Sequence, residues 1–319
     1  MTRPVLWLPR KVSDATVARA RRDYEVILNE ADTPGSAQDI IAMSAQADAM
    51  MPCHSEHFSA DVVARLDPRL KIVANHSVGV DHCDLDALRA RGIVVTNTPD
   101  VLSDATAELT MLLMLGAARH AVAGDWMVRA GEWDSWSPSF MVGKQVTGAR
   151  LGIIGMGRVG RAFAAKARGF DMEIHYCNRP RLSPEDEQGA RYHASLDTLL
   201  PVSDFLSLHC PATPDTMDLM NADTLAQLPD GAVLVNAARG ALVDEDALIA
   251  AIESRKLAGA GLDCFKTEPG GNPAFAAHKN IFMLPHIGSA TTATRDAMGF
   301  RALDNLDAFF AGKTPRDAL

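Results

Sequence analysis

The stretch Leu151-Gly152-Ile153-Ile154-Gly155-Met156-Gly157-Arg158-Val159-Gly160-Arg161-Ala162-Phe163-Ala164 decides how this chain folds. A short apolar run passes into G-x-G-x-x-G, and that motif passes into a helical pattern. The context gives each glycine its own task. Gly155 permits a tight turn, Gly157 opens the backbone to a pyrophosphate, and Gly160 lets the helix lie against the strand. The helix start adds unpaired N–H groups and a positive dipole end. The spacing predicts a dinucleotide-binding βαβ unit, with a plain structural turn as the alternative.

The following strand, Glu173-Ile174-His175-Tyr176-Cys177, ends in Asn178-Arg179-Pro180-Arg181. NAD sites place a carboxylate about 20 residues past the glycines, where it accepts from the ribose hydroxyls. None stands here. A carboxylate would repel a 2′-phosphate, whereas Arg179 and Arg181 would pair with one. NADP(H) is therefore the expected cofactor, with NAD(H) still possible. The alternative is two solvated surface arginines.

Further out, short β-rich runs alternate with helical ones. Strands are expected at 5–8, 24–28, 71–75 and 93–96, and helices at 14–22, 37–45 and 84–91, the last ending at Gly92. Such alternation predicts an α/β fold with parallel sheets. Residues 103–119 form a helix apolar on most faces, expected to be buried between domains. Residues 131–148 hold Trp133, Trp136 and Pro138 with little period and read as a loop or arm. A second alternating series runs from Arg150 to about 285, and a last helix covers about 291–311.

Composition agrees. A chain of 319 residues predicts about two domains. With 47% hydrophobic and 22% charged residues it is ordinary globular material, which excludes disorder. The balance of 31 basic against 40 acidic residues gives −9, so neither nucleic acid nor an anionic membrane is an expected partner. Five cysteines without a C-x-x-C pair read as reduced thiols. With no secretory pattern at the start, they point to the cytoplasm. His54/His57 and His76/His82 lack convincing third and fourth ligands, so no metal is expected.

Three later strands end in polar groups. Ala232-Val233-Leu234-Val235-Asn236 leads to Arg239, whose planar fork suits a carboxylate. A structural salt bridge to Asp244 or Glu245 is the alternative. The strand through Asp263 leads to Glu268, and the strand from Ile281 ends in Pro285-His286-Ile287-Gly288. A carboxylate beside a histidine favours the imidazolium, which can protonate the alkoxide formed as a carbonyl is reduced. A structural histidine is the competing reading.

The segments NAARGALVDEDAL, GAGLDCFKTEP and LPHIGSAT resemble the three diagnostic motifs of the D-isomer-specific 2-hydroxyacid dehydrogenases. NHSVGVDHCD and NTPDVLSDATAEL extend the resemblance over nearly the whole chain. SVGVDH, the N-R-x-R strand end and the tryptophan arm resemble the glyoxylate/hydroxypyruvate reductase branch. The resemblance implies two Rossmann-like or flavodoxin-like domains with parallel sheets. A discontinuous substrate domain, 1–98 with 289–319, would hold an inserted NAD(P)-binding domain, 99–288. It implies reduction of small 2-oxoacids by a homodimer, with the 103–119 helix at the hinge and dimer surface. His286 would be the acid/base, Glu268 its partner, and Arg239 the carboxylate clamp, joined by the Val78 and Gly79 amides. Met51, Trp136 and Ser289 match substrate-pocket positions. Thr106, Arg158, Val159, Cys210, Pro211, Thr216, Ala237, Asp263 and Gly288 match cofactor-lining positions. A glutamate at 268, where formate dehydrogenases carry glutamine, argues against formate oxidation. The rivals are a D-lactate or other D-2-hydroxyacid dehydrogenase, and a non-catalytic dinucleotide-sensing corepressor.

Overall fold

The structure is a computed structural model that describes residues 3–319. The chain divides into two compact units, Met1–Leu102 with Ser289–Leu319, and Ser103–Gly288. The first division falls a few residues past the expected 98/99 cut, where the turn ends and a helix begins at Ser103.

The first unit is built from β1 (Val5–Leu8), α1 (Asp14–Asp23), β2 (Glu25–Leu28), α2 (Ala37–Ser44), β3 (Ala49–Met50), α3 (Ala60–Ala64), β4 (Ile72–Ala74), α4 (Leu85–Ala90) and β5 (Val94–Thr96). Each helix starts where a side chain takes an otherwise unpaired amide. Ser13, Ser36, Ser59 and Asp84 accept from Thr16, Asp39, Val62 and Ala87 respectively. The strands pair in parallel in the order β2-β1-β3-β4-β5, the flavodoxin-like order. β3 has only two residues, too few for any period, yet it sits mid-sheet and is fully buried. Apolar clusters cover both faces of this sheet.

In the second unit, α5 (Ser103–Ala118) and α6 (Ala121–Ala130) precede β6 (Arg150–Ile154) and α7 (Arg158–Arg168). Then come β7 (Glu173–Cys177), α8 (Pro184–Glu187), β8 (Arg191–His193), α9 (Leu196–Leu199), β9 (Phe205–Leu208) and α10 (Ala222–Ala226). β10 (Ala232–Asn236), α11 (Glu245–Glu253), β11 (Leu257–Leu262) and β12 (Ile281–Met283) complete it. The sheet is parallel, in the order β12-β11-β10-β9-β6-β7-β8. Counted from β6, this is the doubly wound dinucleotide-fold order with one strand added. The order reverses between β6 and β9. Phe205, Val233 and Val235 serve one face and Leu206, Leu208 and Leu234 the other, which is why these strands read as unbroken apolar runs.

α5 is apolar nearly all round because it lies against α7, β10 and β11 of its own unit. Glycines permit the close approach. A Cβ on Gly261 would fall 2.7 Å from the Leu113 carbonyl, and one on Gly116 only 2.2 Å from the Phe282 ring. The last helix, α12 (Thr292–Phe310), belongs to the first unit although it follows the second in sequence. It packs on α1 and β4. Arg19 reaches Asp304 at 2.6 Å and Asp307 at 2.7 Å, and the Tyr24 hydroxyl donates to Asp307 at 2.6 Å. Among the described residues, no helix is long and apolar enough to cross a membrane.

Candidate active site

In open α/β sheets, ligands sit beyond the carboxyl ends of the strands where their order reverses. Here that point lies between β6 and β9, and the glycine motif occupies it. Gly155 turns with φ 92° and passes so close to the β9 end that a Cβ would meet the Cys210 nitrogen at 2.5 Å. At Gly160 a Cβ would meet the Gly155 carbonyl oxygen at 2.5 Å, so α7 can pack on the turn only through glycine. Gly157 differs: it is exposed, and a Cβ there meets nothing within 4 Å. No side chain caps the helix that starts at Arg158 and Val159. Open space in front of an uncapped helix start is what a diphosphate requires. The residues present therefore fit a dinucleotide.

Neighbouring strand ends shape this cradle. The Asn178 side-chain oxygen accepts from the Met156 amide at 3.2 Å, tying the β7 end to the glycine turn. Beyond β9, Thr216 closes a turn by accepting from the Thr213 amide and donating to the Pro211 carbonyl, both at 2.8 Å. Burial pushes the Cys210 thiol up to about 11, so it stays protonated. The two arginines differ. Arg179 is largely exposed, with one contact to Asp215 at 3.3 Å. Arg181 is turned to the buried Glu187, with contacts of 2.8 and 3.2 Å.

β10, β11 and β12 lie side by side, so their carboxyl-end loops are neighbours. They carry Arg239, Glu268 and His286. Asn236, buried at the end of β10, shapes the first loop: its side chain donates to the Arg239 carbonyl at 2.8 Å and accepts from the Ala238 amide at 3.0 Å. Ala237 lies in this same turn. Gly240 lets it press on the next loop, since a Cβ there would fall 1.9 Å from the Phe265 carbonyl carbon. Glu268 is held through both oxygens. One accepts from the Phe265 amide at 2.8 Å, and the other meets His286 Nδ1 at 2.5 Å. Glu268 therefore engages Nδ1, the ring nitrogen opposite Nε2.

His286 has φ 53°, a left-handed conformation unusual for a bulky residue. Strain of this kind persists only where the surroundings impose it. Asp263 supplies that constraint: it is 1% exposed, and its two oxygens accept from the Ile287 and Gly288 amides, both at 2.8 Å. Desolvation raises its carboxyl above the usual range, against the pull of those two amides. A Cβ on Gly288 would crowd Asp263 at 3.2 Å and Thr106 at 3.3 Å, so these three expected cofactor positions do cluster. Neither Asn236 nor the clamping role of Asp263 is readable from spacing. Their only sequence signal is a polar residue closing an apolar strand.

The expected substrate-pocket residues fall in both units. Trp136 is 74% exposed on the arm after α6. Met51, in the first unit, is 1% exposed and packs with Leu6, Ala74 and Leu303. Val78 and Gly79 lie in the loop after β4, their carbonyls held by Asn97 and Ser77. Ser289 opens the second segment of that unit and accepts from the Thr291 amide.

Residues 111–288 match the family model described as "D-isomer specific 2-hydroxyacid dehydrogenase, NAD binding domain". The chain is 41% identical over 314 residues to a glycerate dehydrogenase of Hyphomicrobium methylovorum, covering 98% of each. It is 40% identical to a glyoxylate reductase of Pyrococcus furiosus, covering 98% of this chain and 94% of that one. A crystal structure of an NADPH-dependent glyoxylate/hydroxypyruvate reductase from Sinorhizobium meliloti, in complex with NADP and malonate, superposes with a TM-score of 0.87 at 32% identity. That match covers 100% of this chain and 97% of the other.

The site also sets an acid limit. His209 follows β9, lies tilted against the Phe163 ring and contacts the Ser207 hydroxyl at 2.9 Å. Desolvation lowers it to about 4, so the folded protein keeps it neutral. Its contribution is complete above the unfolded value of about 6.5 and is lost as pH falls from there to 4. Unfolding free energies from urea titration should drop over that window, by up to about 3 kcal/mol from this group. His209→Gln should flatten the slope. An equally steep slope in the variant would remove His209 as its source.

Proposed function

The chain belongs to the D-isomer-specific 2-hydroxyacid dehydrogenases, and on that premise we propose that it reduces the small 2-oxoacids glyoxylate and hydroxypyruvate with NADPH. The observation that carries this reading is the Glu268–His286 contact on the strand ends beside Arg239 and the glycine cradle. The cofactor, when bound, supplies a hydride to the carbonyl carbon. The rest falls to the chain. Gly155, Gly157 and the first amides of α7 hold the diphosphate. Arg239 pairs with the substrate carboxylate and orients its carbonyl. His286 donates a proton from Nε2 to the carbonyl oxygen, while Glu268 holds Nδ1 and stabilises the charged ring. Asp263 keeps the 286–288 turn in place.

Glyoxylate and hydroxypyruvate differ by a CH₂OH group, and a pocket separates such neighbours by only about 1–3 kcal/mol per methylene. The test is a panel of small 2-oxoacids with NADPH and NADH, followed at the nicotinamide band. Turnover should be best with NADPH and these two acids. No turnover with any small 2-oxoacid would overturn the proposal. His286→Ala should lower kcat by about 10²–10⁴-fold, and a near-normal kcat would remove His286 from its role.

A second copy of the chain is the proposed partner. Leu112, Trp126, Val128, Trp133, Trp136 and Val142, along α5, α6 and the arm, are all exposed large apolar side chains. A monomer rarely exposes so many in one region. Sedimentation velocity at micromolar concentration should read a dimer, and a monomer would contradict this.

A further inference from the structure

The two arginines after β7 are held in opposite ways. Arg181 presents Nε and one terminal nitrogen to the two oxygens of Glu187, at 2.8 and 3.2 Å, and lies over the Tyr192 ring at 5.7 Å. The Glu187 carboxylate is almost wholly buried and also accepts from the Tyr176 hydroxyl at 2.6 Å. That hydroxyl in turn accepts from the Leu182 amide at 3.1 Å. Arg181 and Tyr176 together hold the Glu187 carboxyl below its usual range. Swinging Arg181 out to a phosphate would leave a buried carboxylate without its cation, a costly exchange.

Arg179 has no such tie. Its side chain is 77% exposed, and its one ion-pair partner, Asp215, is 81% exposed at 3.3 Å. A pair of this kind breaks at little cost. Its position is informative. Arg179 follows β7 and Asp215 lies in the turn after β9, and β7 and β9 are the two strands that flank β6. The pair therefore joins the loops on either side of the glycine turn. Asp215 puts a carboxylate on Arg179, the more exposed of the two guanidinium groups.

Building on the NADPH reading above, we propose that recognition of the 2′-phosphate rests on Arg179 alone, that Asp215 competes with the phosphate for it, and that Arg181 is a positioning residue that fixes the 178–182 loop through Glu187. A dianionic phosphate displaces the Asp215 carboxylate. A ribose without that phosphate leaves the pair intact. Selectivity is thus the difference between a strong charge-assisted contact and the weak internal one it replaces.

Calorimetric titration with 2′,5′-ADP and with 5′-AMP, which differ by the 2′-phosphate, reads this without turnover. Asp215→Asn should tighten 2′,5′-ADP by about 2–5-fold and leave 5′-AMP unmoved. Arg179→Gln should weaken 2′,5′-ADP by roughly 10–100-fold, with 5′-AMP changed far less. Arg181→Gln should lower the melting temperature and weaken both ligands by a similar, smaller factor. Loss of 2′,5′-ADP alone in Arg181→Gln, at an unchanged melting temperature, would overturn the division of roles. So would an unmoved affinity in Asp215→Asn. If the wild-type protein binds 5′-AMP as tightly as 2′,5′-ADP, the NADPH reading itself fails.

Discussion

The order of the seven-stranded sheet reverses between β6 and β9, and the chemistry of the second unit depends on that reversal. Connections leaving β6 and β9 go to opposite sides, so the carboxyl ends of these strands face an uncovered crevice. The backbone fills it sparingly. Gly155 clears Cys210 only because it has no Cβ, and Gly160 clears Gly155 for the same reason. Closing those two contacts holds the start of α7 against the strand ends and leaves Gly157 with open space before it. On the next three strands along the same edge, the loops after β10, β11 and β12 present Arg239, Glu268 and His286.

Buried polar side chains at the strand ends hold those loops. Asn236 satisfies two backbone groups of the Arg239 turn, and Asp263 two amides of the His286 turn. Removing such a partner strands backbone donors and, at Asn236, an acceptor, at about 1–3 kcal/mol for each group that is buried. The same groups therefore stabilise the strand ends and aim the side chains. The left-handed backbone at His286 is the visible sign of that constraint. Its ring is then fixed by Glu268, whose other oxygen is anchored on the Phe265 amide.

Much of this was legible before any coordinates. The glycine spacing, the apolar runs and the polar strand ends marked the strand–turn–helix unit and the strand ends that carry Arg239, Glu268 and His286, because each rests on local backbone geometry. What escaped was set by distant contacts. β3 is two residues long and exists through its pairing with β1 and β4. α3 has only five residues, and α6 buries none of its side chains. The α5 helix reads as apolar on all sides, but the pattern cannot say against what. Arg181 stands beside Arg179 in sequence, and only the fold brings Glu187 to one and Asp215 to the other.

The central claim is that the space in front of Gly157 holds the diphosphate of a dinucleotide. Gly157 has φ −80°, outside the left-handed region, and a Cβ added there meets nothing within 4 Å. The fold therefore tolerates Gly157→Val while the ligand does not. Fluorescence titration of NADPH into this variant, with its melting temperature measured alongside, is the most direct test. The prediction is a melting temperature within a few degrees of the wild type and binding at least about 100-fold weaker, the loss of the contacts that cradle a diphosphate. A well-folded variant that binds NADPH as the wild type does would contradict the account.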